Sequence, residues 1–128
     1  VATVDPLLPP IPNDAACVPD NTPRVLAIVK TVWSGDSIGV EIEGRDYEVR
    51  YVGIDAGGLP LDANRQLVEG KQVLLITDTT DVDQYGRLLR YVVADGVFVN
   101  LELIRRDAAF VSIEPPDVAC ERTFEDAQ

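Results

Sequence analysis

Ile38, Val40 and Ile42 alternate with Gly39, Glu41 and Glu43 along SIGVEIE, the two-residue period of a strand with one wet face. RVLAIVKTVW, from Arg24 onward, is equally strand-like, and SGDS between the two runs reads as a turn. Gly44 marks the next turn. DYEVRYVGID then reads as a third strand, with Tyr47, Val49 and Tyr51 in phase. Three strands in immediate succession make a meander. The period then changes. DANRQLVEG offers Asp62 as a helix N-cap, helix formers from Ala63 to Glu69 and Gly70 as the stop. KQVLLIT is a fourth strand, TDVDQYG a turn-rich loop and RLLRYVVA a fifth strand. Asp95-Gly96 is a tight-turn signal, and VFV completes that hairpin. Asn100 stands where it would cap a second helix, LELIRR, which ends at Asp107 in left-handed geometry. AAFVSI is a short extended return, and VACERTFEDAQ predicts a last short helix carrying Cys120.

Five strands, with one helix after the third and another after the fifth, fit an α+β fold. The expected architecture is a five-stranded OB-fold barrel with two or three short helices. Such a barrel is partly open and lends one face to oligonucleotides or other extended ligands. The domain is expected over residues 24–128. Residues 1–23 are proline-rich and read as an extended arm or linker, ordered where Cys17 pins it.

Composition changes this picture in one respect. The 128 residues, 46% hydrophobic and 26% charged, are ordinary for one globular domain, but the net charge of −11 is not. A protein that grips a nucleic-acid backbone by charge alone is basic. Here the only lysines are Lys30 and Lys71. Single-stranded nucleic acid or nucleotide phosphates are therefore disfavoured by the global field and need local arginines. The acidity also fits the solubility of an extracellular protein.

Cys17 and Cys120 lie near opposite ends, and the chain has no histidine, which argues against zinc. The pair reads either as a disulfide between arm and tail or as two free thiols. A bridge implies an oxidising compartment, secreted or cell-surface. Val1 is not methionine, and a signal peptide or anchor removed upstream of it would not be visible in this chain. The longest fully apolar run is VLAIV, too short to span a membrane. A monomer is expected.

Four residues can carry chemistry. Asp36 sits in the SGDS turn and Asp55 ends the third strand. Two carboxylates at the mouths of adjacent strands can share a hard cation such as Ca²⁺, or they are ordinary turn aspartates. Arg50 and Arg87 can clamp a phosphate bidentately, or they are solvated surface charges. Their spacing does not bring them together. Arg50 and Asp55 are five residues apart, so a regular strand puts them on opposite faces. A break at Gly53 is needed for both to serve one site.

VWSGDSIGVEIEG, EVRYVGIDA, LVEGK and DVDQYGRLLRYVVADGVFVNLELIRR, in that order, resemble the staphylococcal nuclease (thermonuclease-like) family over roughly residues 25–110. The resemblance implies an OB-type five-stranded barrel with three helices that cleaves DNA and RNA phosphodiesters with Ca²⁺. It implies that Asp36, Asp55 and the carbonyl of Ala56 hold calcium. By the same match, Arg50 and Arg87 hold the scissile phosphate and its developing charge. Asp83 and Tyr85 match the acidic and aromatic positions before the second arginine, where the tyrosine helps to bind the nucleotide.

There are departures. The family's aspartate is followed by Thr-Pro-Glu or Ala-Pro-Glu, whose glutamate orients or deprotonates the attacking water. Here Ala56, Gly57 and Gly58 follow, so a glycine stands in its place. The loop to the first helix is short, and Ser34 replaces a frequent aspartate. The expectation is a thermonuclease-like domain with a retained phosphate pocket, weak calcium binding and weak or absent hydrolysis. Two other readings stay open. One is an active secreted Ca²⁺-dependent nuclease whose loop has been removed from this chain. The other is a purely structural or binding OB-fold module.

Overall fold

The computed structural model describes residues 8–128. The elements in chain order are a 3₁₀ turn (Asn13–Ala15), β1 (Arg24–Ser34), β2 (Ser37–Ile42), β3 (Arg45–Tyr51), β4 (Ile54–Asp55) and α1 (Asp62–Val68). There follow β5 (Gln72–Ile76), β6 (Leu88–Ala94), β7 (Val97–Phe98), α2 (Val99–Arg105), β8 (Phe110–Val111) and α3 (Glu121–Ala127).

The meander forms as the pattern predicts. β1 pairs antiparallel with β2, and β2 with β3. The β2–β3 turn puts both Glu43 (φ 49°) and Gly44 (φ 82°) in the left-handed region, the turn whose twist matches a two-residue hairpin. β1 is long because it serves two partners. Residues Arg24 to Ile28 pair with β5, and Ile28 to Ser34 pair with β2. The register slips between Val29 and Thr31 and again between Val32 and Ser34. Each bulge bends the strand, so one sheet curls round on itself. β5 pairs with β6, and β6 pairs in parallel with β3 through Val49–Leu88, Arg50–Leu89 and Tyr51–Arg90. That last contact closes a mixed barrel of β1, β2, β3, β5 and β6. With α1, α2 and α3 it is the OB-type barrel with three helices that the sequence predicts.

Inward alternation fills the barrel: Val29, Ile38, Val40, Val49, Tyr51 and Val92 are all buried. A second layer joins the barrel to the helices. Tyr91, Phe98 and Phe124 pack mutually, with ring centroids 5.7–6.2 Å apart. Gly53 lies against this cluster. It has φ 81°, and a Cβ there would come within 2.6 Å of the Phe124 ring. The chain therefore turns at Val52-Gly53 as expected, and strand three is broken into β3 and β4.

Three expectations are corrected. Asp62 is the first residue of α1, not its cap; Leu61 holds the cap position and makes no side-chain cap bond. Asn100 does not cap α2 either, since the helix begins at Val99. Its buried amide instead accepts a hydrogen bond from the Val92 N–H and donates one to the Val52 carbonyl, each at 2.9 Å. Residues 8–23 are not a loose arm. Ala15 and Val18 are buried, Leu8 and Ile11 pack on the core, and Asp14 meets Arg105 at 2.7 Å. Ala15 ends the 3₁₀ turn and Val18 follows it, so short apolar residues between prolines still join the core. Residues 1–7 of the expected arm lie outside the described residues.

Cys17 and Cys120 form a disulfide across 103 residues of sequence. It ties the N-terminal segment to the start of α3. Closing a loop of about 100 residues removes denatured-chain entropy worth up to about 4.7 kcal/mol.

Two outcomes follow for stability. Reduction should lower the melting temperature by on the order of 10 °C, and thiol titration of the unreduced, denatured protein should find none; two thiols would refute the bridge. Asn100→Ala leaves two buried backbone groups without partners and should cost about 2–4 kcal/mol. This is read as a lower urea midpoint at unchanged slope.

Candidate active site

The site begins with strand parity. Val49 and Tyr51 are buried, so Arg50 between them turns outward. Its Nη1 donates to the Tyr51 carbonyl at 2.8 Å, and its Nη2 lies 3.4 Å from Asp36 Oδ2. Arg87 enters from the loop just before β6. Asp83 organises that loop. One carboxylate oxygen accepts the Tyr85 and Arg87 N–H groups at 2.8 and 3.0 Å, and the other accepts Arg87 Nε at 2.7 Å. The Arg87 guanidinium also sits 5.5 Å over the Tyr85 ring. Partial burial alone would raise the Asp83 carboxyl pKa. The hydrogen bonds from the Arg87 backbone and side chain and from the Tyr85 N–H outweigh it and hold the group below 3.8.

The parallel β3–β6 contact brings these parts together. Arg50, Arg87, Tyr85 and Asp83 line one cleft of about 270 Å³, together with Gly53, Glu114 and Asp117. Tyr85 is 74% exposed, so its ring is free to take a stacking partner. None of the hydrogen bonds among the described residues engages the terminal amines of Arg87. They remain available to an anion.

The carboxylate side lies around the β1–β2 turn. Asp36 is 9% exposed and well partnered. Its Oδ1 accepts Ser34 Oγ at 2.9 Å, and its Oδ2 accepts the Ala56 N–H at 2.8 Å. A Cβ at Gly35 would lie 2.6 Å from the Ala56 Cβ, so this close approach depends on glycine. Asp55 is exposed, and its Oδ1 accepts the Gly57 N–H at 2.7 Å. β4 pairs with β8, which sets Asp55 opposite Phe110.

These groups fit a calcium ion only in part. Asp36 and Asp55 are joined through Ala56, but the Ala56 N–H, not its carbonyl, faces Asp36. The carbonyl accepts Leu59 N–H at 3.0 Å. Among the described residues no three His, Cys, Asp or Glu side chains are grouped so as to hold a metal ion, and Ca²⁺ takes six to eight oxygens. Ser34 also changes the turn: its hydroxyl donates to Asp36, where a carboxylate would add charge.

Two supporting residues were not singled out from the sequence. The buried Tyr51 hydroxyl donates to Asn64 Oδ1 at 2.7 Å, and Asn64 Nδ2 donates to the Ser34 carbonyl at 2.9 Å. α1 thus braces the turn that carries Asp36. Burial raises the Tyr51 pKa far above its ordinary value, so it remains a donor. Tyr51 was visible as an inward strand position; nothing local marked Asn64.

Gly57 and Gly58 are exposed, and a Cβ at either meets no atom within 4 Å. Neither lines the arginine cleft.

Two arginines and an exposed tyrosine at one cleft of an OB-type barrel are groups with the chemistry to hold a phosphate-bearing ligand. A family model described as staphylococcal nuclease homologue matches residues 57–128. The thermonuclease of Staphylococcus intermedius is 27% identical over 114 residues, covering 79% of this chain and 68% of its own length. The chain belongs to the staphylococcal nuclease family.

Asp83 provides a direct check on the loop. Arg87→Ala should raise its carboxyl pKa toward the ordinary value, measured by ¹³C NMR titration. A depressed folded pKa stabilises the fold fully above the unfolded value of 3.8 and loses that contribution as pH falls through the folded value. The wild-type protein should therefore lose this contribution as pH falls from the unfolded value of 3.8 through the folded one, and the variant, which keeps the two backbone N–H bonds to Asp83, should retain only part of it.

Proposed function

We propose that this nuclease-family domain, spanning residues 24–128, binds a nucleotide phosphate or a phosphodiester of single-stranded nucleic acid between Arg50 and Arg87 and hydrolyses it weakly or not at all. The observation that carries the reading is the convergence of both arginines and Tyr85 on one cleft. In this reading Arg50 and Arg87 hold the phosphate and oppose its developing charge. Asp83 orients Arg87, and Tyr85 stacks on the nucleotide. Asp36 and Asp55 would supply two carboxylates to a weakly bound calcium ion, which neutralises phosphate charge when present. The disulfide supports a secreted or cell-surface location.

Hydrolysis also needs a positioned water. A general base contributes roughly 10²–10⁴-fold, and Gly58 brings no side chain. Gly58→Glu has room, but the side chain would start from an open position outside the arginine cleft. A positional error of about 1 Å can cost about 100-fold.

Binding and turnover are tested separately. A thymidine 3′,5′-bisphosphate with calcium should stabilise the fold by about 2.7 kcal/mol at 100 times its dissociation constant. That is on the order of 10 °C in melting temperature. Arg50→Ala and Arg87→Ala should each abolish the shift. An unchanged melting temperature at millimolar ligand would leave a structural module.

Single-turnover cleavage of a short DNA strand in calcium should be at least about 100-fold slower than for the Staphylococcus intermedius enzyme. Gly58→Glu alone should recover little of this. Cleavage at that enzyme's rate would show that another group orients the water.

A further inference from the structure

The outer face of β1–β3 carries a second feature, lined by other residues than the arginine cleft. Trp33, the single tryptophan of the chain, is 58% exposed. Its indole is not dangling. It lies across Gly39 of β2, and a Cβ at that glycine would come within 2.8 Å of Trp33 Nε1. The absent side chain makes a notch in which the ring rests.

Register defines what surrounds the ring. Glu48 stands directly opposite Gly39, and Asp46 directly opposite Glu41, two residues along. Side chains of directly opposed residues leave an antiparallel pair on the same face. Gly39, Glu41, Asp46 and Glu48 therefore share the face that the indole covers. They line, with Trp33 and Lys30, an open groove of about 550 Å³. Lys30 is 3.9 Å from Glu41, so that pair is internally balanced. Asp46 and Glu48 form no ion pair among the described residues.

An exposed indole face beside two unpaired carboxylates attracts a cation by two routes. The ring quadrupole acts at short range and the carboxylates at longer range. The net charge of −11 adds attraction for cations and repels phosphate polymers. We propose that this face docks a basic peptide segment of a partner protein, one lysine or arginine of which lies over Trp33 while its neighbours pair with Asp46 and Glu48. The groove and the arginine cleft share no lining residue, although Glu48 and Arg50 stand two residues apart on the same face of β3; this inference does not depend on activity in the cleft.

The test titrates the intact protein with fluorescein-labelled octa-arginine, read by anisotropy, and with the unlabelled peptide, read by Trp33 emission. Saturable binding is expected in both. Trp33→Ala should weaken the anisotropy signal about two- to fivefold. Asp46→Asn with Glu48→Gln should weaken it further and flatten its salt dependence. Gly39→Val, which pushes the indole off the sheet, should act like Trp33→Ala. Circular dichroism verifies the fold of each variant, and the Trp33→Ala change, at an exposed site, reads the platform if Gly39→Val fails to fold. Glu125→Gln with Asp126→Asn, exposed on α3, should leave binding unchanged. An equal loss in that α3 variant would mean diffuse charge attraction and would overturn the proposal. So would no saturable response, or an emission change with a neutral oligosaccharide in place of the peptide.

Discussion

The parallel pairing of β3 with β6 is the contact on which the rest depends. Only three residue pairs make it: Val49–Leu88, Arg50–Leu89 and Tyr51–Arg90. Without it, β3 and the Leu88–Arg90 end of β6 would be open edges of a curled sheet, with unpaired backbone groups facing water. With it, the five principal strands close around one core. The same three pairs align the two arginine-bearing segments, so barrel closure and assembly of the cleft are one event. The bulges in β1 are its counterpart across the barrel, since they supply the curl that lets β3 reach β6.

Buried polar side chains specify how the remaining segments attach. Asn100 links α2 to β6 and to the Val52-Gly53 turn. Asn64 links α1 to the Asp36 turn. Asp78 accepts the Tyr91 hydroxyl at 2.7 Å and the Ala119 N–H at 3.0 Å, while Asp117 accepts the N–H groups of Thr79 and Thr80. These last two fasten the C-terminal segment to the loop after β5, beside the disulfide. No buried side-chain polar atom among the described residues lacks a partner. Each such group is costly if left alone, so each disfavours any other docking of its segment.

Charge is distributed unevenly over this acidic molecule. The cleft keeps two arginines, yet each has a carboxylate beside it: Asp36 at 3.4 Å from Arg50, and Asp83 at 2.7 Å from Arg87. The carboxylates hold the guanidinium groups in place and reduce the local positive potential. A phosphate ligand bound as proposed would therefore meet two held guanidinium groups within a repulsive global field, and salt screens that field over about 8–10 Å. On the outer face of β1–β3 the balance is reversed, with Asp46 and Glu48 unpaired beside Trp33.

The five principal strands, the three helices and the break at Gly53 were legible in the sequence. Period-two alternation and turn glycines act over a few residues, and the chain displays them directly. The cysteine pair was legible as one of two alternatives. What the sequence does not contain is distance. Asn100 and Asp62 each stand where a helix begins and have the chemistry of a cap, but the cap positions fell to Phe98 and Leu61. The Asn100 amide went to two backbone groups in the interior, because satisfying buried strand and turn groups is worth more than capping an end that water reaches. The burial of Ala15 and Val18, which belong to the proline-rich segment, likewise depended on a core surface that exists only in the folded barrel. Arg50 and Arg87 were each visible as candidates, but 37 positions of sequence separate them. Their meeting was decided by the parallel β3–β6 pairing, a contact that no local pattern encodes because its partners find each other only when the whole sheet has curled.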